Sequence, residues 1–218
     1  MRIYEIFISI QGETSRVGLP MHFVRLAGCD LACAYCDTAA ARDPAAGREM
    51  SVAEVLAAVE RPALPWTAIT GGEPLLQVAE TNALIAALSE RGRNTLVETS
   101  GAHAMDALDP RAVRIVDVKT PGSGMVERMA WRNLDLVRPE DEVKFVLTGR
   151  EDYEWAKGVA ARHALSSRTT VLFSPSVRAG GSRQGKPSLP AAELARWILE
   201  DGLAVRLNFQ IHKYLRLP

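Results

Sequence analysis

The sequence has few cysteines, few aromatic residues and no excess of charge of either sign. Of its 218 residues, three are cysteine and 6% are aromatic, and 26 basic residues balance 26 acidic ones. Without net charge, the chain has no general attraction to nucleic acid or to an anionic membrane surface. An odd trio of cysteines cannot form a disulfide framework without leaving one thiol over.

Long apolar runs are also missing. No segment approaches the length that crosses a membrane, and residues 1–6 lack the apolar core of a secretion signal. Hydrophobic residues make up 47% and charged residues 24%, the balance of an ordinary globular protein. Clustered thiols without an export signal are typical of the reducing cytosol. We therefore expect one cytoplasmic domain spanning residues 1–218, with no nucleic-acid or membrane partner.

All three cysteines lie within eight residues, in the stretch Cys29-Asp-Leu-Ala-Cys33-Ala-Tyr-Cys36. Thiolates are soft ligands that select zinc, copper(I) or iron–sulfur clusters. A closed structural zinc site takes four ligands, and iron–sulfur cubanes usually have four cysteine ligands. Three ligands would leave one iron of a cubane open to another molecule. A zinc site completed by His22 or His103 is the alternative.

Short apolar segments alternate with helical ones along most of the chain. The first two strands are predicted at residues 2–9 and 21–27, and residues 39–49 are predicted to be an exposed loop. Later strands are predicted at residues 66–70, 95–99, 113–118, 142–147, 169–173 and 203–209. A capping box of Ser51 and Glu54 opens the first helix, and further helices are predicted at residues 78–91, 152–164 and 189–200. This alternation favours right-handed βαβ units and a parallel sheet.

Six or so parallel strands are too few for a closed eight-stranded barrel of about 250 residues, so we expect an α/β fold with a partial barrel. In this architecture, side chains at the carboxyl ends of the strands meet at one edge. The cysteines follow the second strand. The later strand ends carry Gly71-Gly-Glu-Pro74, Glu98-Thr-Ser-Gly101, Asp117-Val-Lys119 and Ser174-Pro-Ser-Val177. We expect all of these motifs to face one pocket.

The cysteine spacing, followed by the Gly71-Gly-Glu-Pro74 motif at the next strand end, resembles the radical S-adenosylmethionine (SAM) enzymes. The resemblance implies a partial β/α barrel of the radical SAM type with a mostly parallel sheet. The thiolates of Cys29, Cys33 and Cys36 would hold a [4Fe-4S] cluster. SAM would bind the open iron through its amino and carboxylate groups and would yield a radical on reductive cleavage.

Further segments are similar to one family, 7-carboxy-7-deazaguanine synthase. They are Ser9-Ile-Gln-Gly-Glu13, Phe23-Val-Arg-Leu-Ala-Gly28, Cys36-Asp-Thr38, Thr70-Gly-Gly-Glu-Pro74, Val97-Glu-Thr-Ser-Gly101 and Gln210-Ile-His-Lys-Tyr-Leu215. The resemblance implies a homodimeric lyase of queuosine and 7-deazapurine biosynthesis. Its reaction converts 6-carboxy-5,6,7,8-tetrahydropterin to 7-carboxy-7-deazaguanine with release of ammonia. An electron donor such as flavodoxin or ferredoxin would reduce the cluster.

The resemblance also implies roles for individual residues, none of them a side-chain acid or base, because the chemistry is radical. Thr38 would bind Mg²⁺, and Arg25 would pair with the substrate carboxylate. Other substrate contacts are expected from Ile10, Gln11, Gly12, Glu13, Thr70, His212 and Pro218. SAM contacts are expected from Gly72, Asp117, Val118, Lys119, Ser174, Pro175, Ser176 and Val177. The tail, about residues 210–218, would close over the site.

Two other functions fit part of the pattern. One is a glycyl-radical-enzyme activase, another short radical SAM protein whose substrate is a protein. The other is a non-catalytic iron–sulfur or zinc protein, although a pure electron carrier normally saturates its cluster with four cysteines. For Glu98, two roles are left as alternatives: a structural one and a ribose-facing one. Residues 180–186 are predicted to be a mobile loop.

Overall fold

The computed structural model describes residues 1–177 and 188–218, and in these residues nine strands form one sheet. The strands are Arg2–Ile10 (β1), Pro20–Leu26 (β2), Arg48–Glu49 (β3), Trp66–Gly71 (β4), Asn94–Thr99 (β5), Val113–Val118 (β6), Glu142–Leu147 (β7), Thr170–Pro175 (β8) and Arg206–Leu207 (β9). The helices are Val52–Ala58 (α1), Val78–Ser89 (α2), Arg150–Arg162 (α3), Ala191–Glu200 (α4) and Ile211–Leu215 (α5). None of the described helices is both long and apolar enough to cross a bilayer.

The strand order is β3-β1-β2-β4-β5-β6-β7-β8-β9. Strand β1 pairs antiparallel with β2 and β3, and every neighbouring pair from β2 to β9 is parallel. The sheet stays open because its two edge strands, β3 and β9, do not pair with each other. This mostly parallel, unclosed sheet confirms the predicted partial barrel.

Residues 39–49 are more ordered than the predicted exposed loop. They form two short 3-10 turns, Ala39–Arg42 and Pro44–Ala46, followed by β3. Ala41 is fully buried, and its carbonyl accepts a hydrogen bond from Gly28 N at 2.8 Å. The sequence has no helical periodicity here because the turns are short. Their backbone bonds to other parts of the chain and does not continue as a helix.

The end of the chain also departs from the prediction. The last strand was predicted at residues 203–209, but β9 covers only Arg206–Leu207 because it pairs with β8 through just those two residues. Helix α5 was not predicted. Its five residues are too few to show a helical period.

The two faces of the sheet have different neighbours. On the outer face, side chains such as Val97, Val116 and Phe145 form the main hydrophobic core together with the helices. On the inner face, a smaller apolar cluster contains Met21, Ala68, Leu96 and Ile115. Because side chains alternate along a strand, each strand supplies both faces.

Candidate active site

A cavity of about 210 Å³ lies on the inner face, at the carboxyl ends of the parallel strands. There the inward positions change from apolar to polar within two residues, from Ala68 to Thr70 on β4 and from Leu96 to Glu98 on β5. Every residue predicted to bind the cluster, Mg²⁺, SAM or substrate lines this cavity, except Val118. The strand-end motifs therefore meet at one place, as predicted.

The cluster loop, residues 29–36, follows β2 and brings its three thiols to the cavity wall. Its backbone is bonded to two other segments. Cys29 N donates to Arg42 O at 3.0 Å, and Ala34 N donates to Ser123 O at 3.0 Å. The loop is thus shaped by its own backbone, and its thiols need no mutual contact to stay at the wall.

The thiol arrangement does not fit a single zinc ion. Among the described residues, no three His, Cys, Asp or Glu side chains are placed to hold one ion. Tetrahedral ligands on Zn–S bonds of about 2.3 Å would have sulfurs only about 3.8 Å apart. His22 instead contacts Pro62 O at 2.8 Å, and His103 contacts Asp30 at 3.0 Å. In a cubane each thiolate binds a different iron, so three cysteines can hold a cluster without either histidine.

The environment of the thiols fits the same group. Burial raises the pKa of Cys29 and of Cys33 above the ordinary value of a thiol. An isolated thiolate is therefore disfavoured in this wall, and bound iron would supply the compensating positive charge. Three such ligands can hold a [4Fe-4S] cluster with one iron open.

Beside the cluster loop, β4 ends in two closely packed glycines. Gly71 has a φ of +125°, which favours glycine. A Cβ on Gly72 would overlap the carbonyl oxygen of Gly28. Gly72 N donates to Leu26 O at 2.8 Å, which bonds this turn to the end of β2. The two glycines thus let this turn pack directly on the backbone of residues 26–28, and they present bare backbone to the cavity, where a cofactor can approach closely.

Glu73, the acidic residue of the same turn, is fully buried. Its Oε1 accepts from Leu75 N at 2.9 Å and from Thr99 Oγ1 at 2.7 Å. Its Oε2 accepts from Ser100 N at 2.7 Å. Since it is buried and both oxygens accept from these groups, Glu73 ties the glycine turn to the end of β5.

On β6 the predicted SAM contacts divide between the two faces of the sheet. Asp117 and Lys119 face the cavity and form an ion pair of 3.0 Å. Val118 is buried in the outer core, so its side chain cannot contact SAM and only its backbone can. Asp117 Oδ1 is buried and has no hydrogen-bond partner within the described residues. Such an acceptor is normally satisfied, which points to a donor on a ligand.

The end of β8 supplies a second polar wall. Residues 174–177 all line the cavity. Ser174 Oγ accepts from Asn208 Nδ2 at 2.8 Å, whereas Ser176 Oγ is buried and unpaired in the part of the chain that is described. Four residues that line the cavity thus carry a buried side-chain atom without a partner in the described chain: Tyr35 OH, Arg42 Nε, Asp117 Oδ1 and Ser176 Oγ. A polar cofactor would satisfy such atoms.

Thr38 lies at the cavity wall beside the last cysteine, with its Oγ1 3.9 Å from Cys36 Sγ. It precedes the turn Ala39–Arg42, but its side chain makes no capping hydrogen bond there. A hydroxyl that is not used for capping suits Mg²⁺, which takes few protein ligands and keeps several waters.

The residues predicted to bind the substrate come from β1, β2 and the turn between them. Gln11 is buried, and its Oε1 accepts from Glu13 N at 3.0 Å. Arg25 lies over the Phe7 ring, 5.6 Å from the centroid, and its Nε donates to Glu5 at 2.7 Å. Within the described residues its terminal nitrogens make no hydrogen bond, so they can still meet a substrate carboxylate.

Lys144 of β7 is the centre of the charge network in the cavity. Its Nζ contacts Glu98 and lies 3.0 Å from Glu13 and 3.5 Å from Asp117. Burial alone would lower the pKa of Lys144, but the three carboxylates raise it well above its usual range. Glu98 also accepts from Thr70 Oγ1 at 3.3 Å. These contacts favour the structural one of the two predicted roles of Glu98.

The tail, residues 210–218, is bonded to both sides of the cavity. Gln210 Nε2 donates to Glu13 Oε1 at 2.7 Å. Lys213 Nζ pairs with Asp37 at 2.7 Å, which joins the tail to the residue between Cys36 and Thr38. Burial alone would raise the pKa of Asp37, but Lys213 lowers it below its ordinary value.

The two tail residues predicted to contact substrate also line the cavity. His212 packs against Gly12 so closely that a Cβ there would overlap its ring. Burial lowers the pKa of His212, so the neutral imidazole is favoured. Pro218 O accepts from Ser9 Oγ at 2.8 Å, which anchors the end of the chain on β1.

Three residues that shape the site were not predicted to do so. Lys144 carried a signal, because a lysine within an apolar strand is rarely buried without a partner. Glu73 lay inside a recognised motif but was given no role. Lys213 also lay inside a recognised motif, but no local pattern indicated its partner Asp37, which is 176 residues away in sequence. The predicted mobile loop at residues 180–186 lies outside the described residues.

Comparisons with known proteins identify the family of the chain. A 4Fe-4S single cluster domain matches residues 10–128. A protein from Koribacter versatilis named 7-carboxy-7-deazaguanine synthase is 42% identical over all of this chain and 98% of its own length. Another of that name, from Chlorobaculum tepidum, is 41% identical over all of this chain and 95% of its own length. The chain belongs to the 7-carboxy-7-deazaguanine synthase family. Membership confirms the predicted radical SAM lyase function in 7-deazapurine biosynthesis.

Solved structures have the same fold as this member of the 7-carboxy-7-deazaguanine synthase family. QueE from Escherichia coli matches with a TM-score of 0.72 at 23% identity, over 96% of this chain and 93% of that one. SuiB from Streptococcus suis bound to S-adenosylmethionine matches with a TM-score of 0.58 at 16% identity, over 84% of this chain and 47% of that one. The predicted radical SAM fold is confirmed.

Proposed function

We propose that this family member converts 6-carboxy-5,6,7,8-tetrahydropterin to 7-carboxy-7-deazaguanine and ammonia, with a [4Fe-4S] cluster, SAM and Mg²⁺. The observation that carries the proposal is one cavity lined by the cysteines, the glycine turn and the residues expected to bind the pterin. The cluster, SAM and the pterin each need different protein groups, and a different wall of the cavity supplies each set.

Cys29, Cys33 and Cys36 would hold three irons, and SAM would take the fourth. When bound, the cluster and SAM supply a carbon radical that can take a hydrogen atom from the substrate. The protein must then aim that radical and exclude other hydrogen donors. The tail would serve this purpose, because its bonds to Glu13 and Asp37 hold it against the cavity.

The SAM side of the cavity would be the walls formed by β4, β6 and β8. The backbone of Gly72 would accept from the SAM amino group, since no side chain lies between them. Asp117 Oδ1 and Ser176 Oγ would find in SAM the partners that the described residues do not give them. Lys119, Ser174, Pro175, Val177 and the backbone of Val118 would complete this side.

Mg²⁺ would bind next to the cluster loop. The Thr38 hydroxyl, which caps no turn, would be its protein ligand. Mg²⁺ prefers an octahedron of oxygens and keeps waters readily, so the other positions would be taken by waters and substrate oxygens. The ion would thereby link the substrate to the segment that carries Cys36.

The pterin would lie against the turn after β1. Its carboxylate would pair with the terminal nitrogens of Arg25. Its aminopyrimidinone edge presents N–H donors, and Gln11, Glu13 and Thr70 present acceptor oxygens. Ile10 and Gly12 would contact the ring from the same turn. His212 and Pro218 would cover it.

The tail over the site favours this function over a glycyl-radical-enzyme activase. An activase must admit a segment of a partner protein to its cofactor. A cavity with the tail bonded to Glu13 and Asp37 suits a small molecule instead.

The proposed setting is a homodimer in the cytoplasm, reduced by an electron donor such as flavodoxin or ferredoxin, without a nucleic-acid or membrane partner. Ile8, Val17 and Leu19 are exposed on β1 and the turn that follows it. A second copy could bury these apolar side chains, since monomers rarely expose contiguous apolar surface.

The test is an anaerobic incubation of cluster-loaded protein with the carboxytetrahydropterin, SAM, Mg²⁺ and a chemical reductant. The expected result is 7-carboxy-7-deazaguanine, with many turnovers per SAM because the cofactor is regenerated. No deazapurine from protein that contains about four irons per chain would contradict the proposal. Formation of a glycyl radical on an added partner protein would support the activase instead.

A further inference from the structure

Lys144 combines features that a purely structural lysine rarely has. Its side chain is 5% exposed, and it lies on β7, which contributes none of the residues expected to bind a ligand. In the β6–β7 pairing it lies directly beside Asp117, so both side chains point to the inner face. Its position in the sheet therefore delivers one cation into the middle of the cavity.

Lys144 Nζ donates hydrogen bonds to Glu13 and Glu98 and forms an ion pair with Asp117. An ammonium group has three donors and no acceptor. The Nζ of Lys144 contacts Glu98, lies 3.0 Å from Glu13 and lies 3.5 Å from Asp117. These three carboxylates come from the turn after β1, from β5 and from β6. One ammonium group thus ties together three separate elements of the cavity wall.

The three carboxylates belong to different sides of the site. Glu13 lies on the side proposed for the pterin, where it also accepts from Gln210 of the tail. Asp117 lies on the side proposed for SAM, where its second oxygen is unpaired among the described residues. Lys119 also pairs with Asp117, at 3.0 Å. In the described chain, however, Lys119 forms no ion pair with Glu13. Among the ion pairs of the described residues, Lys144 alone joins Glu13 and Asp117.

We propose that Lys144 is a positioning residue that fixes Glu13 and Asp117 relative to each other, and so sets the alignment of pterin and SAM. The proposal rests on the proposed function. Without this cation, three carboxylates would face one another around one buried point, and repulsion would push the two binding walls apart. The reacting groups would then be misaligned, and a small misplacement can cost about a hundredfold in rate.

The test compares Lys144→Met with wild-type enzyme in two measurements. The first is pterin binding to cluster- and SAM-loaded enzyme without reductant, by calorimetry. The second is the ratio of free 5′-deoxyadenosine to deazapurine product during turnover. Free deoxyadenosine reports uncoupled cleavage, in which an electron from the reductant and a hydrogen atom from a source other than the pterin convert SAM to deoxyadenosine and methionine. Lys157→Met is the matched control, since that lysine pairs with Glu154 and Asp201 outside the cavity.

Lys144→Met is expected to keep its iron content, to bind the pterin about tenfold more weakly and to raise the deoxyadenosine ratio about tenfold. Lys157→Met should match wild type in both. Wild-type pterin affinity and ratio in Lys144→Met, with only a lower melting temperature, would overturn the proposal and leave a structural role. Failure of the proposed function is distinct, because wild-type enzyme itself would then form no deazapurine.

A second variant covers the case in which Lys144→Met does not fold. Lys144→Arg keeps the positive charge, but its planar fork cannot direct three donors to three carboxylates around one point. Its deoxyadenosine ratio is expected to rise about threefold. A ratio equal to that of wild type would overturn the proposal.

Discussion

Alternate residues of β7 have opposite environments: those on one face pack in the apolar core, and the one on the other face lies in the charged cavity. Val143, Phe145 and Leu147 point outward, are fully buried and pack within the main core. Lys144 points inward, and its ion-pair partners in the described chain are Glu13, Glu98 and Asp117. The outer face is an apolar core, whereas the inner face carries the charges of the cavity and, at Asp117 and Ser176, cavity-lining polar atoms that are buried and unpaired in the described chain.

The difference separates what makes the chain fold from what makes it act. Burial of apolar surface stabilises the outer face in every liganded state. The inner face is stabilised by ion pairs and by whatever binds there, so ligands should raise its stability through mass action. Substitutions on the outer face should therefore change stability, and those on the inner face should change affinity.

The largest effect is expected from Phe145→Ala on the outer face. Phe145 is fully buried and lies edge-on to Phe173 at a centroid distance of 5.6 Å. Its truncation should lower the free energy of unfolding by about 3–5 kcal/mol, measured by denaturant titration. Leu199→Ala, at a position 80% exposed on α4, is the control and should change it by less than about 0.5 kcal/mol. A stable Phe145→Ala variant with weakened SAM binding would break the distinction between the faces.

The next effect is expected from Gly72→Ala on the inner face. The added methyl group would overlap Gly28 O, so the turn must move away from the cluster loop. SAM affinity of the cluster-loaded enzyme should fall about a hundredfold, or about 2.7 kcal/mol, in anaerobic binding measurements. Gly149→Ala is the control, because a Cβ there meets no atom within 4 Å. Equal SAM affinity in Gly72→Ala and wild type would show that the turn is not part of the SAM site.

A smaller effect is expected from Thr38→Ala. Loss of the hydroxyl should raise the Mg²⁺ concentration for half-maximal activity about tenfold, or about 1.4 kcal/mol, without loss of iron. Thr38→Ser keeps the hydroxyl and should behave like wild type. An unchanged Mg²⁺ response in Thr38→Ala would remove this residue from the metal site.

The smallest effect is expected from pH. Burial lowers the pKa of His212 in the docked tail, so the undocked tail binds a proton more readily. Docking is therefore favoured above the ordinary histidine pKa of about 6.5 and weakens as pH falls below it. The KM for the pterin should rise about threefold between pH 7.5 and 5.5. His212→Asn should abolish that rise, and an identical pH profile in the variant would show that another group is responsible.

The strand-end residues of the site could be predicted because they follow local rules. Motifs after successive parallel strands must meet at one edge, and alternation decides that Asp117 and Lys119 share a face. The same alternation excludes the Val118 side chain from the cavity. The motif alone did not exclude it, because it names Val118 together with its neighbours. Arg25 and Glu5 are directly opposite in the antiparallel β1–β2 register, but that register was not known from the sequence.

Long-range pairings could not be predicted in the same way. The contacts of Lys144 with Glu13 and of Lys213 with Asp37 join residues 131 and 176 positions apart. Such pairs depend on the order of strands in the sheet and on the path of the tail, which no local pattern encodes. The turns within residues 39–49 were missed for a similar reason, because their partners lie on β1 and the cluster loop.

The most direct test of the open cluster is the EPR spectrum of the reduced, cluster-loaded protein before and after addition of SAM. If Cys29, Cys33 and Cys36 leave one iron for SAM, the g-values of the reduced [4Fe-4S] signal should shift on addition. The pterin alone should not reproduce that shift. An unchanged spectrum at saturating SAM, in protein with about four irons per chain, would contradict the assignment of this cavity as a radical SAM site.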